Sequence, residues 1–558
     1  MLTNLPLRVL VLGIDAATFW LIEPWVEAGH LPTFSKLIRE GVSAQLASTI
    51  PYVSGPAWVT FATGKQPGKH GVFDFAVRKP NSYDVRLINA QDIASETLWS
   101  ILSQHHKRLA VVNTPVTYPA QPINGYMITG MLTPSVRSQF TYPTELQGEL
   151  LARFPDYLID VAEASPDRAR TKEAVARKTR QATQQRLALT EWLMEKMPDW
   201  DFFMTVWTET DRIQTYLWDD MDPTHPRHEA RFAQRFSAEI LEHYQHLDRI
   251  LDKMLKTVVD ERTILLVISD HGFGGVHRFF YPNCWLAREG YLRLKQRPSG
   301  VSRLQAAKKI LNSLGLAHYA KKLVKTFAPS WGTTTQLRHT VFSRDVDWRQ
   351  TRAFWAADNG ISINLKGREP LGVVEPGSEY ELICQELKAK LLEIRDPVTG
   401  EKIIAEVYHR SEIYEGPWSE LSPDLRIVWQ EYPEQRKTYF SAGELWGPGV
   451  FGDAGQTGDH AFQGIMLAYG APLKRGYRLQ DAGIVDIAPT ILYAMELPIP
   501  EDMDGRVLQE IFADDWRRHL PLQFSEASPL RSRSFDEREP DDENEILRKR
   551  LRDLGYID

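Results

Sequence analysis

The chain has 558 residues, 43% of them hydrophobic, which suffices for a large core and, with 16 Trp, 23 Phe and 20 Tyr, excludes a disordered chain. A formal net charge of −7 over that length gives no electrostatic footprint for general nucleic-acid binding. Two cysteines, Cys284 and Cys384, far apart in sequence, exclude a disulfide framework and a cysteine zinc pattern.

Residues 1–295 alternate strand-like and helix-like runs, an order that predicts a largely parallel sheet with crossover helices. The first strand is Arg8 to Asp15 (RVLVLGID). Arg8 lies inside the apolar run Leu5–Gly13 and no small-residue cleavage site follows, so the segment reads as a buried strand and not a signal peptide. No apolar run is long enough to span a bilayer. The expectation is a soluble protein of a reducing, cytoplasmic compartment.

The Gly- and Pro-dense segment Pro51–Gly71 comes next. Ser54 sits there in a Ser-Gly-Pro turn that leads into a helical run, Ala57–Thr63. A serine at a helix N-terminus is either a cap for the first turn or an exposed hydroxyl, with the helix dipole favouring an anion beside it. Leu109–Asn113 is a short strand, residues 166–198 a charged helix outside the sheet, and Phe202–Asp211 a second long strand. Residues 226–258 are helical, and Thr263–His271 (TILLVISDH) is a third strand. Asp15, Asp211 and the Asp270–His271 pair thus fall at carboxyl ends of strands, the edge of an open α/β sheet where ligands bind. Carboxylates and imidazoles gathered there are a metal site in outline.

Residues 296–350 differ in character: Leu304, Ala307, Leu311 and Leu314, then Ala320, Leu323, Val324 and Phe327, recur at helical spacing among lysines. They read as a basic, inserted helical cap, packed on the main domain, lying as a lid over an anionic substrate, or presenting a face to anionic lipid. Residues 351–515 return to α/β, with a late strand at Gly464–Tyr469 and a helix at Asp486–Met495 that Asp486 would cap. Residues 516–558 read as a charged linker and a short terminal helix, Ile546–Tyr556, that docks back.

The order of these motifs resembles the alkaline phosphatase superfamily, in its type I phosphodiesterase/nucleotide pyrophosphatase branch. The carrying residues are Gly13-Ile14-Asp15, Ser54-Gly55-Pro56 with Thr63-Gly64 and His70-Gly71, Asp211, Ser269-Asp270-His271-Gly272 and Gly458-Asp459-His460. The resemblance implies an α/β fold with a central, mostly parallel sheet flanked by helices. It implies a phosphoric ester hydrolase, foremost a phosphodiesterase, working through a phosphoseryl intermediate on Ser54. It also implies two divalent metal ions, zinc (Zn) foremost, with manganese (Mn) or magnesium (Mg) at a weaker site. Asp15, Asp270 and His271, with Ser54, would hold one ion; Asp211 and His460 would hold the other. Small-molecule or lipid- or glycan-linked phosphate esters are the implied substrates.

The chain departs from that pattern at Thr215, where the resemblance implies a histidine one helical turn after Asp211. A neutral hydroxyl is a poorer zinc ligand than imidazole. The second site is then weaker, takes a harder ion, or borrows a ligand from His225, His228 or His277. A catalytically impaired relative that binds a phosphorylated ligand or partner, or a phosphotransferase using the same site, is the alternative. Trp58 replaces the arginine that sulfatases of the superfamily need, so Ser54 stays a serine. Of the remaining residues, His70 reads as a turn cap, Lys65 as a solvated loop lysine, Asn113 as a turn former, and His105 and His106 as solvent-facing.

Overall fold

The apolar runs become strands because both faces of the sheet are covered. A computed structural model describes residues 6–162, 167–295, 345–356, 359–441, 447–453, 455–528 and 541–553. Its central sheet consists of β1 (Arg8–Ile14), β2 (Val42–Ala47), β3 (Leu109–Val112), β4 (Gly125–Ile128), β5 (Thr141–Tyr142), β6 (Phe202–Trp207), β7 (Thr263–Ile268), β8 (Gln463–Tyr469), β9 (Tyr477–Arg478) and β10 (Ala482–Gly483). The order across it is β9-β2-β8-β7-β1-β6-β3-β4-β5, with β10 also on β2. β1 pairs in parallel with β6 and β7, and β3 with β6 and β4. β8 runs antiparallel between β7 and β2. The sheet is therefore mostly parallel, and β1 lies at its centre.

Alternation of side chains divides each strand between two cores. Leu10, Leu12 and Ile14 of β1 join Phe203, Leu265 and Val267 on one face. Val9 and Val11 join Met204, Val206, Ile264 and Ile268 on the other. Burial on both faces explains the near-continuous hydrophobic runs in the sequence.

Among the helices are α1 (Ser54–Thr63), α2 (Arg168–Lys196), α3 (Glu209–Met221), α4 (Glu239–Thr257) and α5 (Asp541–Asp553). The residue 226–258 stretch is two helices, Ala230–Phe236 and α4, and not one. A second sheet, containing the Gly272–Phe280 and Gly458–Ala461 strands in antiparallel register, leaves the end of β7. A third, antiparallel sheet of Ala353–Trp355, Gly360–Ile363, Ile404–His409 and Leu425–Trp429 stands beside it.

The greater part of the expected cap, residues 296–344, lies outside the described residues. At its far end Trp348 stacks on Tyr83 with ring centroids 3.5 Å apart, so this segment belongs to the core packing. Asp486 holds the N-cap position of the late helix, Ile487–Ala494, but its side chain makes no capping hydrogen bond to it. Its carboxylate accepts the Gly483 and Arg506 backbone N–H groups at 2.9 and 2.8 Å, which closes the preceding 3₁₀ turn instead. The terminal helix α5 begins at Asp541, ahead of Ile546, and buries Leu547 and Leu551.

Candidate active site

Parallel strands deliver their last residues to one edge, and β1, β6 and β7 are neighbours. Asp15 follows β1, Asp211 lies in the first turn of α3 after β6, and Asp270 and His271 follow β7. Ser54 comes from the start of α1, and His460 from the Gly458–Ala461 strand, paired with Phe273. All six side chains are buried, with residue exposures between 0% and 3%.

Ser54 is not a helix cap. Val53, in extended conformation, holds the cap position, and Ser54 is the first helical residue. Its hydroxyl donates toward Asp15 Oδ1 at 3.4 Å and stands 3.1 Å from His271 Nε2. Gly64, in left-handed conformation at φ 65°, ends the helix as a C-cap glycine should. Trp58, one turn along α1, donates from Nε1 to Asp15 Oδ2 at 3.4 Å. Gly13 makes room for that indole: a Cβ there would stand 2.6 Å from the ring.

The ligand-bearing groups form two overlapping triads, Asp15–Asp270–His271 and Asp211–His271–His460, the atoms within each lying inside 4.8 Å of one another. His271 Nε2 is 3.6 Å from Asp15 Oδ1 and 3.3 Å from Asp270 Oδ2, and His460 Nε2 is 3.4 Å from Asp211 Oδ2. The two imidazoles lie 3.9 Å apart between centroids, their planes tilted by 33°. His225, His228 and His277 supply no ligand atom to either triad. The His225 Nε2 atom meets the Val276 carbonyl at 3.0 Å, and His228 Nδ1 meets the Asp219 carbonyl at 2.7 Å.

The donor set suits cations on two counts. His271 Nδ1 faces the Gly272 carbonyl at 2.9 Å and His460 Nδ1 faces the Tyr52 carbonyl at 3.1 Å. A carbonyl only accepts, so in both rings Nδ1 carries the proton and Nε2 presents its lone pair inward. This is the arrangement that orients metal-binding histidines. Asp211 Oδ2 and Asp270 Oδ2 are buried and have no hydrogen-bond partner, an expensive condition for carboxylate oxygens unless a cation meets them.

Burial, with repulsion from Asp270 and Asp211, raises the Asp15 carboxyl well above its usual range. Burial pushes Asp270 up to about 7, with Asp211 adding to the shift and His460 opposing it. Burial would also raise Asp211, but the Arg212 guanidinium and His460 overcome it and hold the group well below the usual carboxylate range. Burial lowers His271 to about 4.

Arg212 was not legible as a site residue. It ion-pairs with Asp211 Oδ1 and clamps Asp160 at 3.0 Å from Nε and 3.2 Å from Nη2. Its only signal in the sequence is a cation directly after Asp211. Thr215 donates to the Asp211 carbonyl at 3.0 Å and stands 3.4 Å from Asp211 Oδ1, so its hydroxyl is engaged within its own helix turn. Asp459 accepts the His460 backbone N–H at 2.8 Å, and burial raises its carboxyl to about 6. His70 caps its turn, accepting the Val72 N–H at 3.1 Å and meeting Thr60 Oγ1 at 3.0 Å. Lys65 is buried and paired with Asp502, contrary to the solvated reading: the loop around Asp502 folds over it. Asn113, at φ 59°, is a buried turn residue whose amide donates to the Val206 carbonyl at 3.0 Å.

Residues 9–432 match the type I phosphodiesterase / nucleotide pyrophosphatase family. No curated protein matches the chain. Among solved structures, a variant of PafA alkaline phosphatase is similar at 13% identity and TM-score 0.54, covering 92% of this chain and all of its own. Phosphonoacetate hydrolase from Sinorhizobium meliloti 1021 is similar at 12% identity and TM-score 0.50, covering 88% of this chain and 95% of its own. These likenesses show a shared alkaline-phosphatase-like fold. The chain belongs to the type I phosphodiesterase / nucleotide pyrophosphatase family and is a phosphoric ester hydrolase.

Proposed function

We propose that this protein hydrolyses phosphate esters, phosphodiesters ahead of monoesters, with Ser54 as the nucleophile. The observation that carries the reading is the Ser54 hydroxyl, buried at the start of α1 between Asp15 Oδ1 and His271 Nε2. Asp15, Asp270 and His271 would hold one divalent ion beside Ser54; Asp211 and His460 would hold a second. Such ions, zinc foremost with manganese or magnesium at the weaker site, lower the pKa of a bound hydroxyl and offset charge on phosphoryl oxygens.

The chain's own part is positional. Ser54 Oγ attacks phosphorus in line with the departing alcohol, and a phosphoseryl ester forms on Ser54. The dipole of α1 favours the negative phosphoryl oxygens at its N-terminus. Trp58 and Ala16, through their N–H groups at 3.4 Å, orient Asp15 and Asp270. Water then cleaves the O–P bond from the opposite side and restores the serine. A non-water acceptor at this step would make the same site a phosphotransferase.

One observation favours a second reading, a relative of impaired turnover that binds phosphate esters: Thr215 brings no imidazole to Asp211. Turnover of a bis-aryl phosphodiester, measured with metal content for wild type and Ser54→Ala, decides between them. Activity in the wild type, lost in the variant at equal metal content, is the outcome the first reading predicts. A metal-loaded wild type that turns over nothing sinks it. A cytoplasmic location belongs to the same proposal, since Cys284 and Cys384 stand unpaired; recovery from a secreted fraction would refute it.

A further inference from the structure

One turn of α3 ties the two halves of the site together. Asp211 lies in the first turn of that helix, and Gln214, fully buried, follows it by about one turn. Gln214 Nε2 donates to the Ala16 carbonyl at 3.0 Å, and its Oε1 accepts the Tyr244 hydroxyl at 3.2 Å. A carbonyl only accepts, and an amide side chain has one donor end, so the orientation of this group is fixed. Tyr244, from α4, is buried as well and takes the Thr18 N–H at 3.4 Å. A buried amide is costlier than an apolar side chain of the same size, so packing alone does not account for a glutamine here.

Ala16 carries this bond into the other half. It follows Asp15 directly and has φ 62°, a left-handed conformation that an alanine keeps only when its surroundings hold it. Its N–H and its carbonyl serve different halves: the N–H donates to Asp270 Oδ1 at 3.4 Å, and the carbonyl takes the Gln214 amide. The strand that carries His460 leans on the same turn of α3. The Thr457 N–H donates to the Thr215 carbonyl at 2.8 Å, and a Cβ on Gly458 would stand 3.1 Å from the Gln214 carbonyl oxygen. The Asp15–Asp270 edge, Asp211 and His460 are thus registered against one another at Gln214.

We propose that Gln214, held by Tyr244, is a positioning residue that sets the span between the Asp15–Asp270–His271 donors and the Asp211–His460 donors, and with it the distance between the two cations they would hold. The inference rests on the two-ion phosphoesterase reading and deepens it. A phosphoryl group in transfer is gripped from both halves, so a change in span acts on the transition state more than on substrate binding.

The test compares wild type, Gln214→Met, Tyr244→Phe and the double variant. Gln214→Met keeps the volume and removes both hydrogen bonds. It should lower kcat for a bis-aryl phosphodiester about tenfold or more while KM changes less than about threefold. Tyr244→Phe leaves the bond to Ala16 and should lose less, and the double variant should be no slower than Gln214→Met, because Tyr244 acts through Gln214. An unchanged kcat, a loss confined to KM, or single losses that multiply in the double variant overturn the proposal. Electron paramagnetic resonance of the manganese-saturated full-length proteins reads the span without turnover. A spin coupling between two ions in wild type that weakens in Gln214→Met, and to a smaller degree in Tyr244→Phe, supports the proposal. A coupling equal in wild type and both variants, or absent from wild type, refutes it: a glutamine that served packing alone would alter the melting temperature and not the coupling. If Gln214→Met does not fold, the coupling in Tyr244→Phe decides by the same rule. Turnover of the diester by wild type tests the parent reading separately.

Discussion

The Asp15–Asp270–His271 half of the site and the Asp211–His460 half are built differently. The first comes from the ends of adjacent parallel strands, β1 and β7, with Ser54 beside it. Burial, with Asp211 adding to it, raises Asp270 there to about 7. The second comes from a helix turn and a strand of the second sheet, and Arg212 already occupies one oxygen of Asp211. One half is poised to take a cation, and the other carries part of its own counter-charge. The lesson is that two sites sharing one imidazole can differ in affinity because of what stands behind the ligands.

The largest effect should come from removing what the halves share. His271→Ala strips an imidazole from both triads, and a loss of about 10³-fold or more in diester turnover is expected. Metal analysis should find the ion beside Ser54 lost. If that ion stays bound, His271 is not its ligand.

Substituting one half at a time should separate them. Asp211→Asn leaves buried Arg212 with one carboxylate fewer, which costs about 3 kcal/mol of stability. Asp270→Asn should do the reverse in metal-free protein. The folded pKa of Asp270, about 7, lies above its unfolded value, so the fold keeps a proton that the unfolded chain has released. The resulting stability is full below the unfolded pKa and falls away as pH rises to about 7. At pH 8 the amide relieves a buried charge, a gain of ~2–4 kcal/mol; at acid pH it should change little. Chemical denaturation of both variants at the two pH values checks the sign, and destabilisation by Asp270→Asn at pH 8 contradicts it.

Thr215→His should strengthen the second half, tightening its ion about 10- to 100-fold while leaving the first ion unchanged. Competition with a chromophoric chelator measures both. No change in the weaker constant would mean that the second half is complete by another route.

The smallest effect concerns Glu431, whose carboxylate accepts the Phe462 N–H, two residues from His460. Burial raises its pKa to about 7. Glu431→Gln keeps an acceptor but no charge, and should stabilise the fold at pH 8 by about 1–2 kcal/mol after allowance for partial solvation. At pH 5 a thermal melt should show no difference. A melt that is equal at both pH values removes this group from the electrostatics behind His460.

Much of this contrast was readable in the sequence, and the unread part has physical causes. Strand-end acids are legible because a buried strand shows as an apolar run and its last residue must emerge at the sheet edge. Ser54 was legible as a site but not as a geometry, since cap and nucleophile readings share one local sequence. The tautomers of His271 and His460 depend on the Gly272 and Tyr52 carbonyls, and a backbone acceptor leaves no trace in residue identity. Lys65 looked like a surface loop residue because its partner, Asp502, is remote in the chain.

The most direct test of the account is to trap the intermediate. Wild-type protein mixed with a bis-aryl phosphodiester and quenched in acid during turnover should yield a phosphorylated peptide with the phosphate on Ser54. Turnover accompanied by an unmodified Ser54 peptide at every quench time would contradict the account.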